Sequence, residues 1–209
     1  MRILVFGASG HTGQVLVRQA VARGHQVTAF VRDPDKAPTR HSNVRTIVGN
    51  VADDIAVSDA ISGHDAVVSA LGVGVPLEHD ADVIRGVQHI VRGMDAHGVR
   101  RLVYISFIGV RDSRAAVGFL LRYVVPLPLR HEIADHEAKE AIVRASALDW
   151  TIVRPPKLTG GARTGRYRSG PTISTWKPMP LLSREDLSDF ILCELAEPRY
   201  IRQATRVLH

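Results

Sequence analysis

A chain of 209 residues is long enough for one full α/β domain with a sizeable core and too short for two comfortable ones. With 45% hydrophobic and 23% charged residues it has the balance of a globular protein, which excludes a disordered or low-complexity chain. The formal net charge of +6 comes from scattered basic residues without an aromatic-interleaved patch, so no nucleic-acid partner is expected.

Arg2–Phe6 is a short apolar run closed by Gly7 and predicts a strand buried on both faces. His11–Arg23 carries Val15, Leu16, Ala20 and Val21 at helical spacing, and Gly24 ends it. Strands follow at Gln26–Val31 and Val44–Val48, then a short helix at Ile55–Ile61 ended by Gly63, then a strand at Asp65–Ser69. The Asp82–His97 helix puts Val83, Ile84, Val87, Ile90, Val91 and Met94 on its buried face. Arg101–Ile105 is the fifth strand, His131–Ala145 a helix, and Trp150–Val153 the sixth strand. Ser183 caps a last helix with Glu185 and Asp186 in its first turn, and Thr205–Leu208 reads as a final strand.

Alternating strands and helices require right-handed crossovers and a parallel sheet covered on both faces. The expected architecture is a single Rossmann-type, doubly wound α/β domain over residues 1–209. Residues from about 155 to 182 form a small elaboration on its substrate side. Residues 1–6 read as core strand rather than signal peptide, and the apolar stretch Val117–Leu129 is too short and too broken by Arg122 and prolines to span a bilayer. The single cysteine, Cys193, lies in an apolar helical pattern and is expected to be a small buried thiol in a reducing cytoplasm.

Such a sheet binds its ligand beyond the carboxyl ends of the strands. Gly7-Ala8-Ser9-Gly10-His11-Thr12-Gly13 follows the first strand and opens the first helix, the context that makes a glycine motif a dinucleotide site. Gly7 permits the tight turn, Gly10 lets the backbone approach a pyrophosphate, and Gly13 lets the helix pack close to the sheet. The helix N-terminus supplies N–H donors and a partial positive charge. After the second strand stand Arg32 and, four residues on, Lys36, which suit the 2′-phosphate of NADPH; Asp33 between them is the acidic alternative that would suit NADH. Asn50 and Val51 after the third strand are placed near adenine, and Leu71 and Gly72 after the fourth run beneath the ribose.

These residues resemble the atypical short-chain dehydrogenases/reductases, and within them the NADPH-dependent biliverdin IXβ reductase/flavin reductase family. The segments that carry the resemblance are Gly7–Gly13, Val31-Arg32-Asp33, Asp135-His136, Trp150–Pro156, Thr164-Gly165-Arg166-Tyr167 and Leu182–Leu187. The resemblance implies NADP contacts from Thr12, Gly13, Arg32, Asn50 and Leu71, and Ser9 and His11 of the glycine loop are expected beside them. It implies an active-site Ser106, a His136 beside the cofactor, and a turn of Pro155, Pro156 and Lys157 against the nicotinamide. It further implies a monomer or weak homo-oligomer, with no membrane association.

The chemistry expected of this site is narrow. None of Tyr104, Tyr123, Tyr167 or Tyr200 is followed by lysine four residues later, and Glu132 and His136 stand where the usual tyrosine–lysine pair would be. A simple alcohol dehydrogenase would lack its proton donor. A planar conjugated acceptor, flavin or tetrapyrrole-like, spreads the charge of an incoming hydride and needs mainly proximity. Phe107, the Val117–Leu129 segment and Trp176 are the expected apolar platform, with Lys157, Arg163, Arg166 and Arg168 at the mouth. No metal site is expected: the histidines are dispersed, and His131 and His136 are five apart. A hydrolase is disfavoured by the absence of a Gly-x-Ser-x-Gly elbow. The alternative to an NADPH-dependent reductase is a non-catalytic protein that senses NADP.

Overall fold

The computed structural model describes residues 1–38, 41–72, 81–116, 130–177 and 179–209. In chain order the elements are β1 (Arg2–Phe6), α1 (His11–Ala22), β2 (Gln26–Val31), β3 (Val44–Val48), α2 (Asp54–Ile61), β4 (Ala66–Ser69), α3 (Ala81–Ala96), β5 (Arg101–Ile105), α4 (Arg130–Ala145) and β6 (Asp149–Arg154). There follow β7 (Lys157–Thr159), β8 (Arg168–Gly170), β9 (Leu181–Ser183), α5 (Arg184–Ala196) and β10 (Gln203–Leu208), and short 3-10 turns lie at Pro34–Lys36 and Arg111–Ala116.

The expected Rossmann-type sheet is present, in the order β3-β2-β1-β4-β5-β6-β10-β8. Every pairing in it is parallel except the outermost, where β8 runs antiparallel to β10. The sequence reading did not include β8, nor the separate parallel pair β7–β9, because segments of three residues carry no periodic signal. The chain leaves β1 first toward β2 and later toward β4, so the switch point lies between β1 and β4.

Alternation along the strands divides the core in two. Ile3 and Val5 face α1 and α5, where Leu16, Val17, Leu187 and Ile191 close over them. Leu4 and Phe6 face the opposite side, with Val57, Val87, Ile90 and Met94 from α2 and α3. Burial of each such side chain contributes on the order of 1.5–3 kcal/mol. Cys193 departs from expectation: it is exposed, on the outward side of α5, with the Arg23 guanidinium 3.7 Å from its Sγ. The helix is buried around most of its circumference, so the cysteine's apolar neighbours in sequence do not share its direction. No helix among the described residues is long and apolar enough to cross a membrane.

Helix α4 is attached differently. Its buried face includes Asp135, His136, Lys139 and Glu140. Glu140 accepts two hydrogen bonds from Arg154 of β6, Nε to Oε1 at 2.9 Å and Nη2 to Oε2 at 2.7 Å, and both side chains are at most 1% exposed. Arg154 also reaches Asp112 of the second 3-10 turn at 2.8 Å, and Arg206 of β10 reaches the other oxygen of Asp112 at 3.3 Å. A planar guanidinium fits this bidentate use, which lysine would not reproduce. Removing one partner strands a buried charge. Glu140→Ala is therefore expected to lose about 3–5 kcal/mol in urea unfolding, while the double variant Glu140→Leu/Arg154→Met recovers most of the loss.

Candidate functional site

The glycine loop is shaped by contacts a side chain would not permit. Gly7 has φ +76°, and a Cβ on it would lie 2.5 Å from the Ala70 carbonyl oxygen at the end of β4. This close approach joins the two strands of the switch point. A Cβ on Gly13 would lie 2.2 Å from the Gly7 carbonyl oxygen, so α1 can start this close to β1 only with glycine there. Gly10 differs: its nearest neighbour would be the Gly7 oxygen at 3.4 Å, and the rest of its surroundings is open. Gly10 is also the N-cap of α1 and brings no side chain to the free N–H groups there, which leaves them to a ligand.

One cleft of about 300 Å³ brings together Gly7, Ser9, Gly10, Arg32, Asn50, Val51, Leu71 and Gly72. These come from the ends of β1, β2, β3 and β4. Arg32 lines the cleft and Asp33 is not among its lining residues. The Asp33 carboxylate accepts from the Asp35 N–H at 3.0 Å and pairs with Lys36 at 3.2 Å. Those two contacts, the backbone one first, hold its pKa below the usual carboxylate value. Lys36, expected to face the cleft from the far side, is an exposed partner of Asp33.

Asn50 is also partly committed, since its Oδ1 accepts from the Ala52 N–H at 3.0 Å; its side-chain amide N–H groups are the part that remains as donors. Val51 is fixed from α3, where buried His89 donates through Nδ1 to the Val51 carbonyl at 2.9 Å. The sequence reading missed Asp82 and Val83 as lining residues, as well as His89 behind them. A histidine at a buried phase of the α3 stripe was the available sign of the last. Thr12 and Gly13 lie in the first turn of α1, and His11 points away, into a groove on the outer side of that helix.

The other predicted residues gather at the ends of β5 and β6. The Ser106 N–H donates to the Val153 carbonyl and the Ile108 N–H to the Pro155 carbonyl, each at 2.8 Å, so the two loops leave the sheet side by side. Ser106 Oγ lies 3.5 Å from His136 Nδ1, a long contact between two buried groups. The Phe107 ring meets the His136 imidazole edge-on with centroids 5.1 Å apart. Burial, with help from nearby Lys139 and against Asp135, drives the His136 pKa from its ordinary value of 6.5 down to about 3. Tyr104, one residue before this loop, is fully buried, and burial and Glu140 raise its pKa strongly, so it does not serve as an exposed acid.

Lys157 is exposed at the start of β7. Beyond it the chain is held by acidic residues of α5. Asp186 accepts from the N–H groups of Thr164 and Gly165 at 2.7 and 2.9 Å and from Thr164 Oγ1 at 2.9 Å. Asp189 accepts from the Tyr167 hydroxyl at 2.7 Å and pairs with Arg163 at 2.7 Å and with Arg23. Arg163, expected at the mouth, is thus engaged in folding, while Arg166 and Arg168 are exposed. Of the expected platform, Phe107 packs against His136, Trp176 is 86% exposed, and Val117–Leu129 lies outside the described residues. Among the described residues no cluster of potential metal ligands occurs.

The profile of the NAD(P)H-binding family matches residues 7–198. The chain belongs to this family. A 2-alkyl-3-oxoalkanoate reductase from Stenotrophomonas maltophilia (strain K279a) is 41% identical over 112 residues, which are 51% of this chain and 33% of that protein. The chain thus spans about a third of that relative's length. Two solved structures share the family's fold across 100% of the chain. ChuY, an anaerobillin reductase from Escherichia coli O157:H7, has a TM-score of 0.81 at 21% identity over 97% of its own chain. A short-chain dehydrogenase/reductase from Veillonella parvula DSM 2008, in complex with NADP, has a TM-score of 0.82 at 18% identity over 94% of its chain. At these identities the two structures speak for the fold alone.

Two outcomes are expected. Gly13→Ala forces a backbone clash and lowers stability by about 1–3 kcal/mol or more in urea unfolding, whereas Gly10→Ala leaves the unfolding midpoint nearly unchanged. The second concerns pH. The unfolded chain protonates His136 near 6.5 and the folded chain only near 3, so His136 destabilises the fold as pH falls through that window. The urea midpoint should decline from pH 7 to pH 4, and His136→Gln should decline less steeply; equal slopes would remove His136 as the responsible group.

Proposed function

We propose that this chain is an NADPH-dependent reductase that delivers hydride to a planar conjugated acceptor such as a flavin or a biliverdin-like tetrapyrrole. The observation that carries the choice of NADPH is the division of labour after β2. Arg32 lines the cleft, while the acidic neighbour that would suit a ribose 2′-hydroxyl is drawn away by Asp35 N–H and Lys36. The open backbone at Gly10 and the uncapped start of α1 fit a diphosphate.

In this reading Gly7, Ser9, Gly10, Thr12 and Gly13 hold the diphosphate, Arg32 the 2′-phosphate, and Asn50 and Val51 the adenine. Leu71 and Gly72 lie beneath the ribose, and Pro155 sets the nicotinamide end. When bound, NADPH supplies the hydride. Ser106, His136 and Lys157 face the acceptor. His136 is neutral around pH 7, so it orients through Ser106 and does not act as an acid there. An acceptor that delocalises negative charge can take its proton from water. The absence of a tyrosine–lysine pair at this position favours such an acceptor over a simple ketone. The reductase names of the Stenotrophomonas relative and of ChuY support hydride transfer as the activity, and the two differ in substrate. Residues 155–182 are the part of the chain we assign to the acceptor side, and the cytoplasm is the compartment where NADPH and an unpaired cysteine are at home.

The test is NADPH oxidation followed with and without FMN, riboflavin or biliverdin. Oxidation is expected only with acceptor. Tight NADPH binding without hydride transfer to any of the three, measured by stopped flow, would overturn the reductase reading. Arg32→Ala should weaken NADPH binding by roughly 10–100-fold and leave NADH nearly unaffected, as expected for loss of charge-assisted bonds to a phosphate.

A further inference from the structure

The α1 side of the sheet is covered unevenly, and the reason lies in one connection. A right-handed crossover from β2 to β3 runs on that side, where a helix would ordinarily pack beside α1. Among the described residues this connection contains only the 3-10 turn Pro34–Lys36. β3 is the outermost strand at that end of the sheet. Its residues alternate: Ile47 packs into the core shared with α2 and α3, while Val44 packs toward α1 and α5. Thr46 and Val48, on the same face as Val44, are exposed, Val48 at 55%.

A groove of about 600 Å³ stands where that helix would lie. One side is a stripe of α1 at helical spacing, His11, Val15, Arg18 and Val21; the other is Ala37, Pro38 and Val44. Because α1 runs antiparallel to the strands, His11 marks the end nearest the glycine loop and Val21 the end nearest the start of β3. Arg184, the first residue of α5, and His41 also line it. Among the described residues no carboxylate lines the groove. Glu185, next to Arg184, is already held by Arg18 and by Gln19 Nε2 at 2.6 Å. The groove has the size of a small-molecule site, roughly 300–1,000 Å³, with an apolar floor and the Arg184 guanidinium on its lining.

We propose that this groove is a second ligand site, distinct from the dinucleotide cleft, for a small anionic amphiphile. Its apolar body lies along Val15, Val21 and Val44, and its acid group meets Arg184. Arginine beside an apolar floor selects an acid over the corresponding alcohol, because its guanidinium has five donors and is more weakly hydrated than an ammonium.

The probe is 8-anilinonaphthalene-1-sulfonate, with decanoate and decanol as competitors. One equivalent of the sulfonate should bind with a rise in fluorescence that survives saturating NADPH. Decanoate should displace it at least about tenfold better than decanol. Val21→Glu and Arg184→Glu should each weaken binding at least about tenfold. Arg184→Glu adds an acid to the first turn of α5, where the helix favours one, so that variant keeps its fold. Four results would overturn the proposal: no fluorescence rise in the unmodified protein; displacement by NADPH, which would put the probe in the dinucleotide cleft; full binding in Arg184→Glu; or a concentration-dependent dimer, seen by sedimentation and lost in Val21→Glu, which would give the groove to a second copy of the chain.

Discussion

The proposed acceptor half of the molecule depends on the buried pairing of Arg154 with Glu140. Helix α4 carries His136, and its inward face is too polar to hold its place by apolar burial alone. The helix is fastened to β6 by a two-bond ion pair, and the same arginine fastens the Arg111–Ala116 turn through Asp112. Ser106 leaves β5 alongside Arg154, and Pro155 is the next residue of the chain. Backbone hydrogen bonds place Ser106 beside Pro155, and the guanidinium ties the helix that carries His136 to the same strand. A buried ion pair is a weak source of net stability but a strong source of geometric definition, because its alternatives leave charges unpaired.

Arg101 and Glu194 repeat the device on the α5 side. Glu194 takes Arg101 and the Thr151 hydroxyl at 3.1 Å each and the backbone N–H groups of Arg199 and Tyr200 at 3.0 Å, so β5, β6, α5 and the turn into β10 meet at one carboxylate. The two ion pairs flank the sheet from opposite faces. β10 pairs with β6 beyond the Glu194-held turn, and β10 in turn pairs with β8.

How much of this was legible in the sequence follows from the range of each interaction. The strands and helices through β6 have periodic apolar patterns of five residues or more or clear end signals, and their ends were read to within a residue or two. The glycine loop was legible because its stereochemistry is local: Gly7, Gly10 and Gly13 have different neighbours, but all three are within one turn of chain. Partners of opposite charge were not legible. Nothing in the order of residues joins Glu140 to Arg154 rather than to Arg144, or Arg163 to Asp189 rather than to a substrate. Cys193 failed for the same reason from the other side: a helix buried around most of its surface still has one outward position, and composition does not say which.

The two halves of the candidate site are built from different materials, and this bears on what can vary. The proposed dinucleotide cleft is mainly backbone, with glycines, strand ends and the start of α1, and Arg32 is the cation among its described lining residues. Its shape is secured by the close approach of Gly7 to Ala70 and of Gly13 to Gly7, so substitutions elsewhere leave it intact. The proposed acceptor side is made of side chains on α4 and of the segment from Lys157 to Ser183, which is tied to α5 through Asp186 and Asp189 rather than woven into the main sheet, apart from the short β8. Loops anchored at a few carboxylates can change their intervening residues without disturbing the strands beneath. A fold arranged this way keeps one cofactor while its acceptor changes, which is the pattern expected when reductases of different substrates share a single NAD(P)H-binding architecture.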